Sequence, residues 1–431
     1  MIKISKREFK NGLLVSFSNF YDPILLAVLT PIFIKNLSLE IYGFWVLIFS
    51  IANYAKLGSS GINNAVIKFL GSNKQKKNKE KLLINIIFIF LFYSLSLITI
   101  LSVIALIFNF NNLISFDFEG SIEFFFILCI VFIVLKSFEE ILINVYISFE
   151  HYEISTFLKV FSKSVIFIMQ VIIIIVYQDI ITLIKISSIT LLLLVLIQFF
   201  IIQKRYNLIN YSKIRNLVQI DIIKKIFYYT KGLIVNNLIG VVNVSFDKFI
   251  VSYFLGLKIL ALYNIAFLVY SFIHSVFNSF FFYLFPKMSK MKNKLLIYKT
   301  FIRAEINIFI LGLPLIFFIY LVSETFLKFW LGTSYDQKIY DYQRLFLIMN
   351  FLTLPTIPIY YYLVTLKHTW MQAKLAFYNL ILGIPLLLIL SYYFSVYGII
   401  LSKITTPIIT IFVIINIIRS NPIKNDDTSR K

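Results

Sequence analysis

Lys136, Glu139 and Glu140 stand inside the apolar run at 122–149, where ionisable groups are costly. At the centre of a membrane helix each charge costs roughly 2.5–3.5 kcal/mol on insertion scales, so each asks for a function or a partner. Spacings of three and four put these groups on neighbouring parts of one helical face, where the ammonium neutralises one carboxylate and a second acid is left over. Asp247 and Lys248 are adjacent in the run at 229–255, behind Asn236, Asn237 and Asn243, and as neighbours are expected to point to different faces. Asp22 precedes Pro23 near the middle of the first run, where proline loosens the backbone. Arg344 and Lys403 add cations a few turns from the external side. Two chemistries follow. Lys136, Lys248, Lys403 and Arg344 suit the path of an anionic substrate, whereas Asp22, Glu139, Glu140 and Asp247 suit ion coupling or pairing with those cations.

The elements that hold these residues are membrane helices. The chain has 431 residues, of which 60% are hydrophobic and only 14% charged, yet its net charge is +21. Twelve apolar segments long enough to cross a bilayer are expected, at 12–34, 41–57, 82–108, 122–149, 155–177, 181–203, 229–255, 260–285, 301–322, 341–366, 370–394 and 396–418. Thirty Lys and Arg fall in the tails and every second gap, while the intervening gaps hold four, Lys35, Lys258, Lys328 and Lys338. That bias places both termini in the cytoplasm. The basic start followed by an apolar stretch to about Ile34, without a small-residue cleavage site, reads as an uncleaved first helix.

The fold class expected is therefore all-α integral membrane, with about twelve transmembrane helices in two pseudo-symmetric six-helix bundles. The bundles are drawn at 1–203 and 229–418, joined by a cytoplasmic linker at 204–228 and followed by a tail at 419–431. An internal echo supports duplication: Leu37-Ser-Leu39-Glu-Ile41-Tyr-Gly43-Phe-Trp45 can be laid on Leu255-Gly-Leu257-Lys-Ile259-Leu-Ala261-Leu-Tyr263. Six spans per half make the repeats parallel and place a pathway between them.

Several function classes lose support. One Cys and three His leave no metal cluster to propose, and no cofactor is implied. The basic residues are scattered over short loops, which argues against nucleic acid as a partner, and contact with anionic membrane lipids is the better use for them. No G-x-x-x-x-G-K-[ST] loop is present for ATP hydrolysis. The longest external gap, about 323–340, is too short for a catalytic domain, and its Asp336 and Asp341 read as solvated surface. The chain is thus not expected to be an enzyme.

Specific residues add a resemblance. Leu39 to Trp45, Leu57-Gly58-Ser-Ser-Gly61 and Ala65 in the first half resemble the polysaccharide flippases, exporters of O-antigen and capsule units related to multidrug and toxin extrusion transporters. Phe246-Asp247-Lys248-Phe-Ile, Leu255-Gly256, Tyr263 and Leu284-Phe-Pro286-Lys287-Met-Ser289-Lys290 resemble that family's second half. Trp330-Leu-Gly332, Arg344-Leu-Phe-Leu and Tyr397-Gly398-Ile-Ile-Leu-Ser402 extend the match in order along the chain, while Lys403 has no place in the pattern. The resemblance implies export of undecaprenyl-pyrophosphate-linked oligosaccharide repeat units, for O-antigen, lipopolysaccharide or a similar surface polymer, across a bacterial cell inner membrane by alternating access. It also implies polysaccharide polymerase and assembly proteins as further partners. A drug or metabolite exporter of the same superfamily is the alternative transporter, and a membrane-embedded polymerase or glycosyltransferase the alternative enzyme. Tyr361, Tyr362 and Trp370 offer ring faces for sugars or an interfacial aromatic belt.

Overall fold

A computed structural model describes residues 6–71, 76–108, 122–206, 218–289, 291, 293–366 and 369–419. All its regular elements are helices. In the first half these are α1 (Lys6–Leu37), α2 (Leu39–Ala65) with a π-helical extension (Val66–Leu70), α3 (Lys76–Phe108), α4 (Ile122–Ser148), α5 (Tyr152–Val176) and α6 (Ile180–Tyr206). The second half has α7 (Ile220–Leu255), α8 (Leu257–Phe281), the short α9 (Leu284–Ser289), α10 (Lys294–Leu331), α11 (Gln337–Thr353), α12 (Thr356–Thr365), α13 (Thr369–Ser402) and α14 (Thr405–Arg419).

Packing divides the chain into two units, Ile4–Val241 and Val242–Lys431 with the first three residues, so that α7 runs across the division. Of the expected linker at 204–228, residues 204–206 belong to the end of α6 and 220–228 to the start of α7, while 207–217 lie outside the described residues. In the first unit α1 packs on α5 and α4 on α6; in the second α8 packs on α11 and α13 on α14.

Apolar side chains cover the outside as well as the inside. On α10, Ile310 is 63% exposed, Phe317 59%, Phe318 61% and Leu321 63%. Water would not tolerate four large apolar groups on one helix, whereas lipid costs them nothing. Among the described residues, six helical stretches are long and apolar enough to cross a membrane.

Local chemistry sets the helix ends. Asp179 receives the Ile181 and Thr182 amides at 3.1 and 2.7 Å and caps α6. Asn293 caps α10 through the Leu295 amide at 2.8 Å. Asp336, expected as solvated surface, caps α11 by accepting from the Lys338 amide at 2.8 Å. The expected external gap at 323–340 is much shorter, because α10 continues to Leu331 and α11 starts at Gln337.

The duplicated turns share a geometry. Ser38 joins α1 to α2 with φ 119° and ψ 163°, and Gly256, its counterpart in the echo, joins α7 to α8 with φ 87° and ψ 168°. A single residue with positive φ reverses the chain at each place. Gly256 adopts that conformation freely, whereas Ser38 carries strain there.

The expected division of the last spans at 394–396 falls on Ser395, whose φ of 51° and ψ of −132° are non-helical, so that α13 is two helical stretches meeting at a kink there, the second running to Ser402. The kink brings the Leu390 carbonyl oxygen so near Gly398 that a Cβ there would lie 1.9 Å from it. Lys403 and Ile404 then form a turn, and α14 begins at Thr405, with Asn379 of α13 accepting from the Thr405 and Thr406 hydroxyls at 2.8 and 3.0 Å. Lys403 therefore sits at a break between helices.

Candidate functional site

Each unit contains a buried carboxylate paired with a lysine. In the first, Lys136 reaches one turn along α4 and its ammonium lies 2.5 Å from Glu139 Oε2. Glu139 is 1% exposed, which is sustainable because its partners are close. Gln198 of α6 donates to Glu139 Oε1 at 3.4 Å and to Ser162 of α5 at 2.8 Å, tying three helices together. Glu140, the second acid of the triplet, receives Asn63 Nδ2 of α2 at 3.3 Å and is half-buried. The three charges sum to minus one. The expected leftover acid is thus Glu140, and its partner is a neutral amide.

The second unit reverses the sign. Asp247, 2% exposed on α7, receives the Lys403 ammonium at Oδ2 over 2.6 Å and the Lys248 amide at Oδ1 over 2.9 Å. The hydroxyl of Tyr263, a fully buried residue of α8, also donates to Oδ2. Lys248 was expected to point away from Asp247, yet its long side chain lays the ammonium 5.0 Å from the Phe267 ring centroid, while the Lys403 ammonium lies 5.4 Å from the same centroid. Two ammoniums therefore share one phenyl ring, Lys403 alone being paired with the carboxylate, and the three side chains together carry a net charge of plus one. Phe267 belongs to a stripe on α8, Tyr263, Phe267, Tyr270 and His274, whose successive rings are near-parallel at 6.4, 5.5 and 6.4 Å. Phe346 of α11 packs against the first three. These rings attract the cations electrostatically and hold them beside the acid.

The remaining expected residues lie apart. Arg344 is exposed on α11, with its guanidinium donating to the Tyr320 hydroxyl and lying 5.0 and 5.4 Å from the Tyr320 and Tyr340 ring centroids. The side chains of Asp22 and Trp370 lie outside the described residues, as do those of Asn236, Asn237 and Asn243. Tyr361 and Tyr362 do not present open ring faces: both are buried, Tyr361 donating to Asn278 Oδ1 at 2.9 Å and Tyr362 stacking on Phe301 at 4.6 Å.

Sequence reasoning missed two participants. Tyr263 is sixteen residues beyond Asp247, and only the Gly256 turn brings it alongside; the internal echo marked that turn. Glu305 lies inside the expected span at 301–322 and was passed over; its place on the buried stripe of α10 is the signal that marks it.

Comparison with known proteins agrees with this architecture. No curated protein sequence matches the chain. Among solved structures, the lipid II flippase MurJ in an inward closed conformation superposes with a TM-score of 0.72 at 16% identity, over 96% of this chain and 88% of that one. An inward-facing multidrug resistance transporter of the MATE family, in the MOP superfamily, gives 0.66 at 14% identity, over 96% and 94%. The MATE transporter VcmN of Vibrio cholerae gives 0.64 at 13%, over 96% and 97%. At such identities the likeness establishes the fold, an all-α membrane architecture of about twelve helices in two bundles. Residues 36–340 match the family model described as polysaccharide biosynthesis protein. The chain belongs to that polysaccharide biosynthesis protein family.

Proposed function

We propose that this protein exports an undecaprenyl-pyrophosphate-linked oligosaccharide repeat unit, destined for O-antigen, lipopolysaccharide or a similar surface polymer, across a bacterial inner membrane by alternating access. The observation that carries the reading is the unequal charge at Asp247: two ammoniums, one carboxylate, one aromatic ring. Lys403 serves as the counterion of Asp247, leaving Lys248 to meet a phosphate oxygen of the passing headgroup. An ammonium is a movable point charge and releases what it binds more readily than a bidentate guanidinium. Arg344, already engaged with Tyr320 and Tyr340, guides the headgroup near the external side in this reading.

The first unit has the opposite excess, and Glu140 is the acid it leaves for a coupling cation; Asp22 is a second candidate for that role. Export of an anion is also favoured by an inside-negative potential, at roughly 2.3 kcal/mol per charge for each 100 mV. Both termini are in the cytoplasm in this account, as the charge bias indicates. The chain performs no chemistry on its substrate, and the polymerase and assembly proteins act on what it delivers.

The test is surface polysaccharide in cells whose own copy is replaced by Lys248→Met. Export should fall severalfold or more while the protein remains at normal abundance in the membrane. Unchanged export at equal abundance would remove Lys248 from the substrate path. A drug-efflux phenotype without a glycan phenotype would select the alternative exporter.

A further inference from the structure

The carboxylates buried among the described residues are Glu139, Asp247 and Glu305. The first two are paired with lysines, while Glu305 is in no ion pair and neither of its carboxyl oxygens has a hydrogen-bond partner among the described residues. It is 8% exposed. Glu305 stands in a buried stripe of α10, Tyr298, Phe301, Glu305, Ile308, Gly312 and Ile316, at helical spacings of three and four. That face looks into the apolar core built with α8, α9, α12 and α14 and with Leu347 of α11.

The titratable groups around this core do not reach it. Tyr298 lies two turns away on α10 itself, and Arg303 is exposed on another side of the helix. α12 brings Tyr361 and Tyr362, α8 brings His274, α9 brings Lys287, α11 brings Arg344 at its middle and α13 brings Lys374 beside Leu375, and none is bonded to Glu305. The described side chains of α14 are uncharged.

An ionised carboxyl so placed would carry a desolvation penalty with nothing to offset it. The neutral acid carries only the smaller cost of an unmade hydrogen bond. The same helix is built to bend nearby. Gly312, whose Cβ would lie 2.3 Å from Leu354 Cδ1, and Pro314, which removes one helical hydrogen bond, follow Glu305 within about 14 Å along the axis.

We propose that Glu305 is a proton-carrying site: it holds a proton in the state described here and releases it to water when α10 bends at Gly312 and Pro314. One O–H bond forms on loading and one breaks on release, with no other reactant. The site concerns conformational change rather than the transported molecule, so it stands or falls independently of the saccharide reading.

Spin labels on α10 beyond Pro314 and on α12, in purified protein without substrate, test it directly. The distance distribution of the wild type should shift between acid and alkaline pH. Glu305→Gln, the uncharged isostere, should hold the acid distribution throughout. A Gln variant that follows the wild-type shift, or a wild type with no shift, overturns the proposal. The infrared band of a protonated carboxyl provides a readout in the unmodified protein: it should be present at neutral pH and move in Glu305→Asp. Its absence from the wild type also overturns the proposal.

Discussion

Removing the Lys403 ammonium leaves Asp247 buried with two neutral donors, the Tyr263 hydroxyl and the Lys248 amide. Truncating one member of a buried ion pair costs about 3–5 kcal/mol, because the other charge stays desolvated and unpaired. Lys403→Met should therefore lower thermal stability in detergent and abundance in the membrane. Asp247→Asn with Lys403→Met removes both charges, keeps the bond that Oδ1 accepts from the Lys248 amide, and lets the amide nitrogen donate to the Tyr263 hydroxyl in place of the bond at Oδ2. Pairs replaced together often come out near neutral, so the double variant should recover most of the loss. It also keeps the net plus one, now on Lys248 alone, and should still export. Lys248→Met has the converse effect, since Asp247 and Lys403 remain paired and the fold survives, while one charge-assisted contact to phosphate is lost. At about 1.5–3 kcal/mol that contact is worth about 10- to 150-fold in affinity. Thermal melts of the purified variants, combined in a double-mutant cycle with export in cells, separate the two roles. The reasoning fails if Lys403→Met is as stable as wild type, or if the double variant is stable yet exports no better than Lys248→Met.

Other variants probe the remaining features. Lys136→Ala should reduce abundance through the unpaired Glu139, and adding Glu139→Gln should restore it, read by quantitative blotting of membranes; a stable single variant would show that the pair is not structural. Ser38→Gly should stabilise by about 1 kcal/mol, because relief of a strained φ outweighs a weak cap, while Gly256→Ser should cost about 1–3 kcal/mol; melting temperatures decide both. Gly398→Ala forces a methyl against the Leu390 carbonyl and should cost more than about 3 kcal/mol, seen as failure to accumulate folded protein.

Much of the fold was legible because hydropathy reports helices. The charged positions were legible for the same reason: a lysine in an apolar run is conspicuous, and the i, i+3 spacing of Lys136 and Glu139 announced their pairing. Hydropathy does not register turns. Lys403 was placed within the last span because Ile399, Ile400, Leu401 and Ile404 surround it, and only the break after Ser402 shows how it reaches Asp247. The external gap shrank because α10 extends through Phe326 and Trp330, whose stacked rings suit a helix as well as a loop. Glu305 stayed hidden for a related reason: Lys299 and Arg303 mark a loop by charge alone, while the stripe from Tyr298 to Ile316 marks a helix by spacing.

The most direct test of the central claim is transbilayer movement of a pyrophosphate-linked oligosaccharide lipid in vesicles containing only this protein. With an inside-negative potential imposed, the wild type should move the lipid outward faster than protein-free vesicles, and Lys248→Met should approach the protein-free rate. Movement no faster than in protein-free vesicles, or equal rates for the wild type and Lys248→Met, would contradict the account.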